Sequence, residues 1–292
     1  MKPRVGAGPY ARLDLAIPST PANSFITDIG IWFVRERGNW LPAATWVSLL
    51  GALEIPASSA RTALHRMTKA GYLQQETRSA RRGYSMSHEW IGYLRHVHDG
   101  LPSALLSQDP DPPGEQQQSE DKWTLLTFSI PETRRAERHA IRTLLGRNGF
   151  ASLGNGVWIA SVARLPETRV ALEATGFADY VDMFRAQHEG FGELAEFVAR
   201  CWDTEAIATM YRTFIRDVRR RIRRDPTADA RTFADIIIAS NNWRRINFTD
   251  PALPTAALPR EWPRTDAERL FSELLARSLD PAQDYVESMG AS

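Results

Sequence analysis

The chain has 292 residues, 43% hydrophobic and 24% charged, with a formal net charge of +1. That length holds two or three domains, and the composition excludes a disordered chain. The near-neutral balance excludes an indiscriminate coat for nucleic acid, so any nucleic-acid contact must come from a local basic patch.

Residues 1–23 are rich in Pro, Ala and Gly and read as a flexible arm. From 24 to 98 the pattern is mainly helical. Phe25, Ile26, Ile29, Trp32 and Phe33 recur at helical spacing up to Gly38. Trp46, Leu49, Leu50 and Leu53 mark a second helix, stopped by Pro56. A third helix is predicted from about Ala57 to Ala70, with Gly71 as its stop. Two short β-prone pieces follow, Tyr72–Gln75 and Gly83–Met86, joined by a basic loop.

Residues 99–121 are dominated by Pro, Gly, Gln and Asp and read as an exposed linker. From 122 to 190 the rhythm changes. A β-run Trp123–Ile130 is closed by Pro131, and a helix spans Arg134–Asn148. Gly154-Asn155-Gly156 sits between two β-prone pieces as a hairpin turn. A helix over Leu165–Thr175 and an extended stretch over Tyr180–Gln187 complete a β-α-β-β-α-β order, which predicts a ferredoxin-like central domain. Residues 191–292 are helical: apolar stripes run through Ile207, Tyr211, Phe214, Val218 and Ile222, through Phe233, Ile236, Ile237 and Trp243, and through Leu270, Phe271, Leu274 and Leu275. A Pro-rich stretch from Asp250 to Pro263 carries Leu253, Leu258 and Trp262 and is expected to pack as an ordered loop. The predicted class is α+β and multidomain.

Three helices followed by a β-hairpin outline a winged helix-turn-helix, which makes 24–98 the DNA-binding domain. On the third helix Leu64 centres the apolar side, near Ala57, Ala60 and Met67. The outward face carries Ser58, Ser59, Thr62, Arg66 and Lys69, with His65 at its edge and Arg61 near the boundary, and the helix has no Asp or Glu. Short hydroxyls near the N-terminus meet phosphate oxygens beside free backbone N–H groups, and cations suit guanine edges and phosphates. The loop adds Arg78, Arg81 and Arg82, offset by Glu76, as a wing for the phosphate backbone.

Three blocks resemble the PaaX family, repressors of phenylacetate-degradation operons. They are Gly38-Asn39-Trp40-Leu41 leading to SSARTALHRMTKAGYL at 58–73, WTLLTFSIPETRRAERHAIRTLLGRNGFASLGNGVWIAS at 123–161, and DPALPTAALPREWP at 250–263 with the helix after it. The resemblance implies a winged helix, a central domain folded like the small CRISPR spacer-acquisition nucleases and a helical C-terminal domain. It implies a homodimer on a roughly palindromic double-stranded DNA operator, and an acyl-CoA effector such as phenylacetyl-CoA that releases the DNA. The arm before Phe25 and the polar linker at 99–121 depart from the family's pattern and leave operator contacts open.

Other chemistry is poorly supplied. Nuclease-like relatives place an acidic residue in the first strand of this fold, where this chain has Ser129, a poor ligand for a hard cation. That disfavours the alternative of a metal-dependent nucleic-acid enzyme; a second alternative is a winged-helix module that binds protein. There is no phosphate loop, nucleophile elbow or HExxH, and no cofactor or metal is expected. His96 and His98 diverge on a helix, and the single cysteine, Cys201, reads as a packing residue. The run Arg216, Arg219, Arg220, Arg221, Arg223, Arg224 serves DNA, effector phosphates or a solvated face, with the last preferred. Arg134, Arg135, Arg138 and Arg142 invite the same choice. Trp158, Phe184 and Trp243 are candidates for an apolar effector slot in a cleft. No apolar run of about 18 residues occurs, and no signal-like core follows Met1–Asn23, so the expected compartment is the cytoplasm and no membrane partner is expected.

Overall fold

The computed structural model describes residues 20–35, 38–97 and 122–291. Most of the expected arm, and the linker at 99–121, lie outside them. The chain forms two compact units, each drawn from separate stretches. Within the described residues one comprises 96–97, 122–213 and 244–267; the other comprises 20–35, 38–95, 214–243 and 268–291.

The second unit begins with helix α1, Pro21–Ile29. Its first turn is set by Thr20, whose Oγ1 accepts the Asn23 N–H at 3.3 Å, and by Pro21 just inside the start. The helix continues as a π-helical turn over Gly30–Val34, buried throughout. Strand β1 is Leu41–Pro42, α2 is Ala43–Gly51 and α3 is Ala57–Lys69. Strands β2 (Leu73–Arg78) and β3 (Arg81–Met86) form an antiparallel hairpin, and β1 pairs with the other edge of β3. Helix α4 is His88–Val97.

β1 was not anticipated from the sequence. A Cβ on Gly83 would come within 2.3 Å of the Leu41 carbonyl and 2.5 Å of the Trp40 ring, so only glycine lets β1 close on β3. Asn39, with φ of 52°, extends that edge: its Nδ2 donates to the Met86 carbonyl at 2.8 Å and its Oδ1 accepts the Met86 N–H at 3.2 Å.

The first unit holds a four-stranded antiparallel sheet of β4 (Trp123–Phe128), β5 (Ala151–Gly154), β6 (Val157–Ser161) and β7 (Val181–Ala186), in the order β5-β6-β4-β7. The β5–β6 turn uses Asn155 and Gly156 at φ of 50° and 82°, the twist that two-residue hairpins favour. Helix α5 (Arg135–Arg147) follows β4, and α6 (Leu165–Thr175) follows β6. Alternation along β4 gives the sheet two buried faces. Leu126 joins Ile141, Leu145, Ala160 and Leu172 on one. Trp123 joins Ile159, Val198, Leu253 and Ala257 on the other, so α7 (Leu194–Cys201) and the Pro-rich loop cover that face. The loop is ordered as expected, and Leu253 and Ala257 are its buried anchors.

The remaining helices are α8 (Thr204–Ile222), α9 (Ala230–Thr249) and α10 (Arg264–Ala291). Their apolar stripes are buried as the periodicity predicts, including Phe214, Val218, Phe233, Ile236, Ile237, Phe271 and Leu274. In the second unit Phe33 meets Phe233 with ring centroids 5.2 Å apart, and Asn241 donates to Asp28 at 2.9 Å. The N-terminal segment thus shares a core with helices some 200 positions later.

Candidate nucleic-acid interface

The site is the outward surface of α3 and the β2–β3 hairpin. α3 packs through Ala60, Ala63, Leu64 and Met67, all at most 2% exposed. Ala57, expected on that side, is exposed because it lies in the first turn, before α3 reaches the core. α3 ends with a Schellman motif in which Tyr72 N–H meets the Met67 carbonyl and Gly71 N–H the Thr68 carbonyl, with Gly71 at φ of 84°. α2 ends in the same way: Ile55 N–H meets the Leu50 carbonyl and Glu54 N–H the Gly51 carbonyl. There a glutamate occupies the left-handed position, at φ of 61°. These two ends set the direction in which α3 leaves the α2 turn and enters the hairpin.

Ser58, Ser59, Arg61, Thr62, His65 and Lys69 are all exposed, so the structure brings these predicted residues together on one surface. Thr62 Oγ1 donates back to the Ser58 carbonyl at 2.9 Å. Arg66 departs from the expectation of an outward side chain. It is half-buried, and its Nη2 donates to Thr20 Oγ1 at 3.0 Å and Asn23 Oδ1 at 2.9 Å. The reason is local: the capped start of α1 presents two oxygens beside α3, one of them on the buried Asn23.

The hairpin arginines divide similarly. Arg78 turns back from the tip, with Nη1 on the Gly38 carbonyl at 2.8 Å, its guanidinium 5.7 Å from the Trp40 ring centroid, and an ion pair to Glu76 at 2.8 Å. Glu76 also accepts from Ser85 Oγ at 2.6 Å; the Ser85 bond first, then Arg78, holds its carboxyl below the usual carboxylate range. Arg81 is half-buried, and Arg78 and Arg82 are both exposed, Arg78 while holding these partners. The tip, Ser79-Ala80, adopts φ of 48° and 61° with no glycine.

Elsewhere the arginine-rich helices resolve. Arg134 is tied to Glu137 and donates to the Tyr180 hydroxyl at 2.9 Å, and Arg138 donates to the Ile130 carbonyl at 3.1 Å; Arg135 and Arg142 are exposed. Arg221 and Arg224 both hold Asp235, while Arg216, Arg219, Arg220 and Arg223 are exposed. The aromatic trio suggested for an effector slot is not assembled. Trp243 is 1% exposed, sealed between Phe214 and Phe271 with ring centroids at 5.4 and 5.5 Å, so it is core. Phe184 is 56% exposed, and Trp158 packs on the sheet core. A cavity of ≈ 360 Å³ in the first unit is lined instead by Trp123, Gln187, His188, Glu189 and Leu194.

Ser129 is exposed at the end of β4 with its N–H on the Tyr180 carbonyl at 3.0 Å, and among the described residues no three His, Cys, Asp or Glu side chains gather as a metal site. Cys201 packs against the Trp123 cluster, and burial pushes its thiol up, away from the reactive thiolate. His96 lies in α4, and His98 is outside the described residues. No described helix is long and apolar enough to cross a membrane.

Comparison with known proteins places three family models along the chain. Residues 22–90 match "PaaX-like protein", 116–198 match "PaaX protein central Cas2-like domain", and 202–288 match "PaaX-like protein C-terminal domain". The chain is 26% identical over 266 residues to "Transcriptional repressor PaaX" of Escherichia coli (strain K12), covering 88% of this chain and 80% of that one. Its fold resembles "Uncharacterized protein Rv0674 from Mycobacterium tuberculosis", with a TM-score of 0.57 and 19% identity over 91% of this chain and 98% of that one.

Proposed function

The chain belongs to the PaaX-like family of transcriptional regulators, and from that premise we propose that it is a repressor that binds an operator through a winged helix-turn-helix at 24–98. One observation carries the reading: α3 exposes Ser58, Ser59, Arg61, Thr62, His65 and Lys69 without a single acidic residue, next to a hairpin with Arg82 exposed near its tip. That combination suits a helix in the major groove and a wing on the backbone. Ser59, Thr62 and Lys69 are the groove contacts. Ser58, Arg61, His65 and Arg82, with Arg81, face phosphates. Arg66 and Arg78 position the reading helix and the hairpin.

The sheet order β5-β6-β4-β7 supports reading 122–190 as a ferredoxin-like domain, with 191–292 as a helical C-terminal region. The protein acts in the cytoplasm as a homodimer on a roughly palindromic operator, and an acyl-CoA thioester of an aromatic-compound catabolic pathway, such as phenylacetyl-CoA, releases it. It is not an enzyme.

The test is titration of DNA from upstream of its own and adjacent genes, with and without aromatic acyl-CoA thioesters. Specific binding lost on adding a thioester is the expected result. Specific binding indifferent to every thioester removes the effector and keeps the regulator; absence of specific binding removes the regulator.

A further inference from the structure

The six arginines near the end of α8 are two groups with different surroundings. Arg221 and Arg224 point inward and share Asp235, a carboxylate only 9% exposed. Arg277 of α10 closes the same corner by donating to the Ile222 carbonyl at 2.7 Å. Arg216, Arg219 and Arg220 lie on one outward face of α8, and Arg223 continues it in the turn beyond Ile222. Only Arg220 meets a carboxylate, Asp217 at 3.3 Å; Arg216, Arg219 and Arg223 have no ion pair among the described residues.

We propose that Arg216, Arg219, Arg220 and Arg223 form a second contact with duplex DNA, gripping backbone phosphates outside the winged-helix surface; the proposal rests on the DNA-binding reading above. The ridge is about 10 Å long at about 1.5 Å per residue, long enough for its cations to reach two or three successive phosphates of a backbone that carries one charge per about 3.4 Å of duplex axis on each strand. Cations in a helix's last turn also complement its dipole, but that accounts for Arg219 and Arg220 and not for Arg216, a turn earlier, or Arg223, past the end.

The surroundings argue against an acyl-CoA as the occupant. The ridge is an exposed helix face, and none of the large exposed hydrophobics among the described residues, Leu153, Phe184, Phe191 and Phe248, lies on α8. A thioester needs an apolar slot beside its phosphate site; a phosphate polymer does not.

The ridge is also braced to α3. Asp235 ties α8 to α9, Asn241 of α9 donates to the buried Asp28 of α1, and the start of α1 holds Arg66 of α3. Both basic surfaces therefore belong to one packed unit. A duplex that engages both surfaces pays no separate cost for ordering one against the other.

The experiment is fluorescence anisotropy of the full chain with a mixed-sequence duplex of about 40 base pairs over a range of salt. Wild type is compared with the triple variants R216Q/R219Q/R223Q and R216K/R219K/R223K and with R82Q. The Gln triple is expected to lower the slope of log Kobs against log [salt] by about two to three, at about 0.9 per phosphate contact, and the Lys triple to keep it. Unchanged melting temperatures separate this from misfolding. A wild-type slope in the Gln triple, with a reduced slope in R82Q, overturns the ridge and leaves the winged-helix reading standing. A Gln triple that keeps its slope but loses binding of coenzyme A alone also overturns it, in favour of a ligand site. A wild-type chain that binds no duplex at low salt overturns both readings.

Discussion

The guanidinium of Arg66 donates to Oδ1 of Asn23 at 2.9 Å, joining the end of α3 to the first turn of α1. Asn23 is 5% exposed, so losing that donor takes a charged hydrogen bond from a buried amide. Arg66→Ala is therefore expected to destabilise the fold by about 1–3 kcal/mol. It should weaken specific and non-specific DNA binding together, through misplacement of α3 rather than loss of one base contact. Chemical denaturation of the variant beside DNA titrations checks this. Full stability with relaxed sequence preference would instead make Arg66 a groove contact.

Glu54 and Gly71 occupy the same position in the Schellman ends of α2 and α3, at φ of 61° and 84°. A side chain in the left-handed region carries a steric penalty that glycine avoids. Glu54 is exposed, and its side chain makes no hydrogen bond or ion pair among the described residues that would repay it. Glu54→Gly should stabilise the protein by about 0.5–1 kcal/mol, because glycine's extra freedom in the unfolded chain offsets part of the relief. A higher urea midpoint with an unchanged slope is the expected signature.

Periodicity located α3 almost to the residue, because it has a clean apolar stripe and a strong stop, Gly71; α6 also runs over the predicted Leu165–Thr175, ending at Gly176, although it buries only Thr168 and Leu172. The hairpin at Asn155-Gly156 was equally readable, since few residue pairs accept its backbone. The start of α1 was missed although Thr20-Pro21 carries the signal: a capping hydroxyl before a proline was absorbed into a Pro-rich arm. Partners were less legible than elements. A stripe such as Phe233, Ile236 and Ile237 announces that it is buried, not that Phe33 lies against it. For the same reason Trp243 passed for a ligand-facing aromatic. The outward face of α3 was readable except at Arg66, whose direction depends on oxygens 43 and 46 positions away.

Glu76 makes the hairpin sensitive to acid. Its carboxylate accepts from Ser85 and Arg78, and these bonds place its folded pKa below the unfolded value of about 4.3. The stability it contributes is complete above the unfolded value and is lost as pH falls through the folded one. The gap in melting temperature between wild type and Glu76→Gln should therefore be widest near neutrality and close as pH drops from about 5 toward 3. A gap independent of pH would assign the role to packing rather than charge.

Arg78 and Arg82 stand four residues apart on one hairpin and should fail in different ways. Arg82 is exposed, so Arg82→Ala should leave stability within about 0.5 kcal/mol and lower the salt slope of DNA binding by about 0.9, the loss of one phosphate contact. Arg78 is held by the Gly38 carbonyl, Glu76 and the Trp40 ring. Arg78→Ala should keep the salt slope and lower stability by about 1–2 kcal/mol, given one charged hydrogen bond and a partly screened ion pair lost. Measuring both slopes and both unfolding midpoints separates a wing that touches DNA from one that only braces β1. If Arg78→Ala alone moved the slope, the wing's contact would be assigned to Arg78, whose side chain is itself 44% exposed.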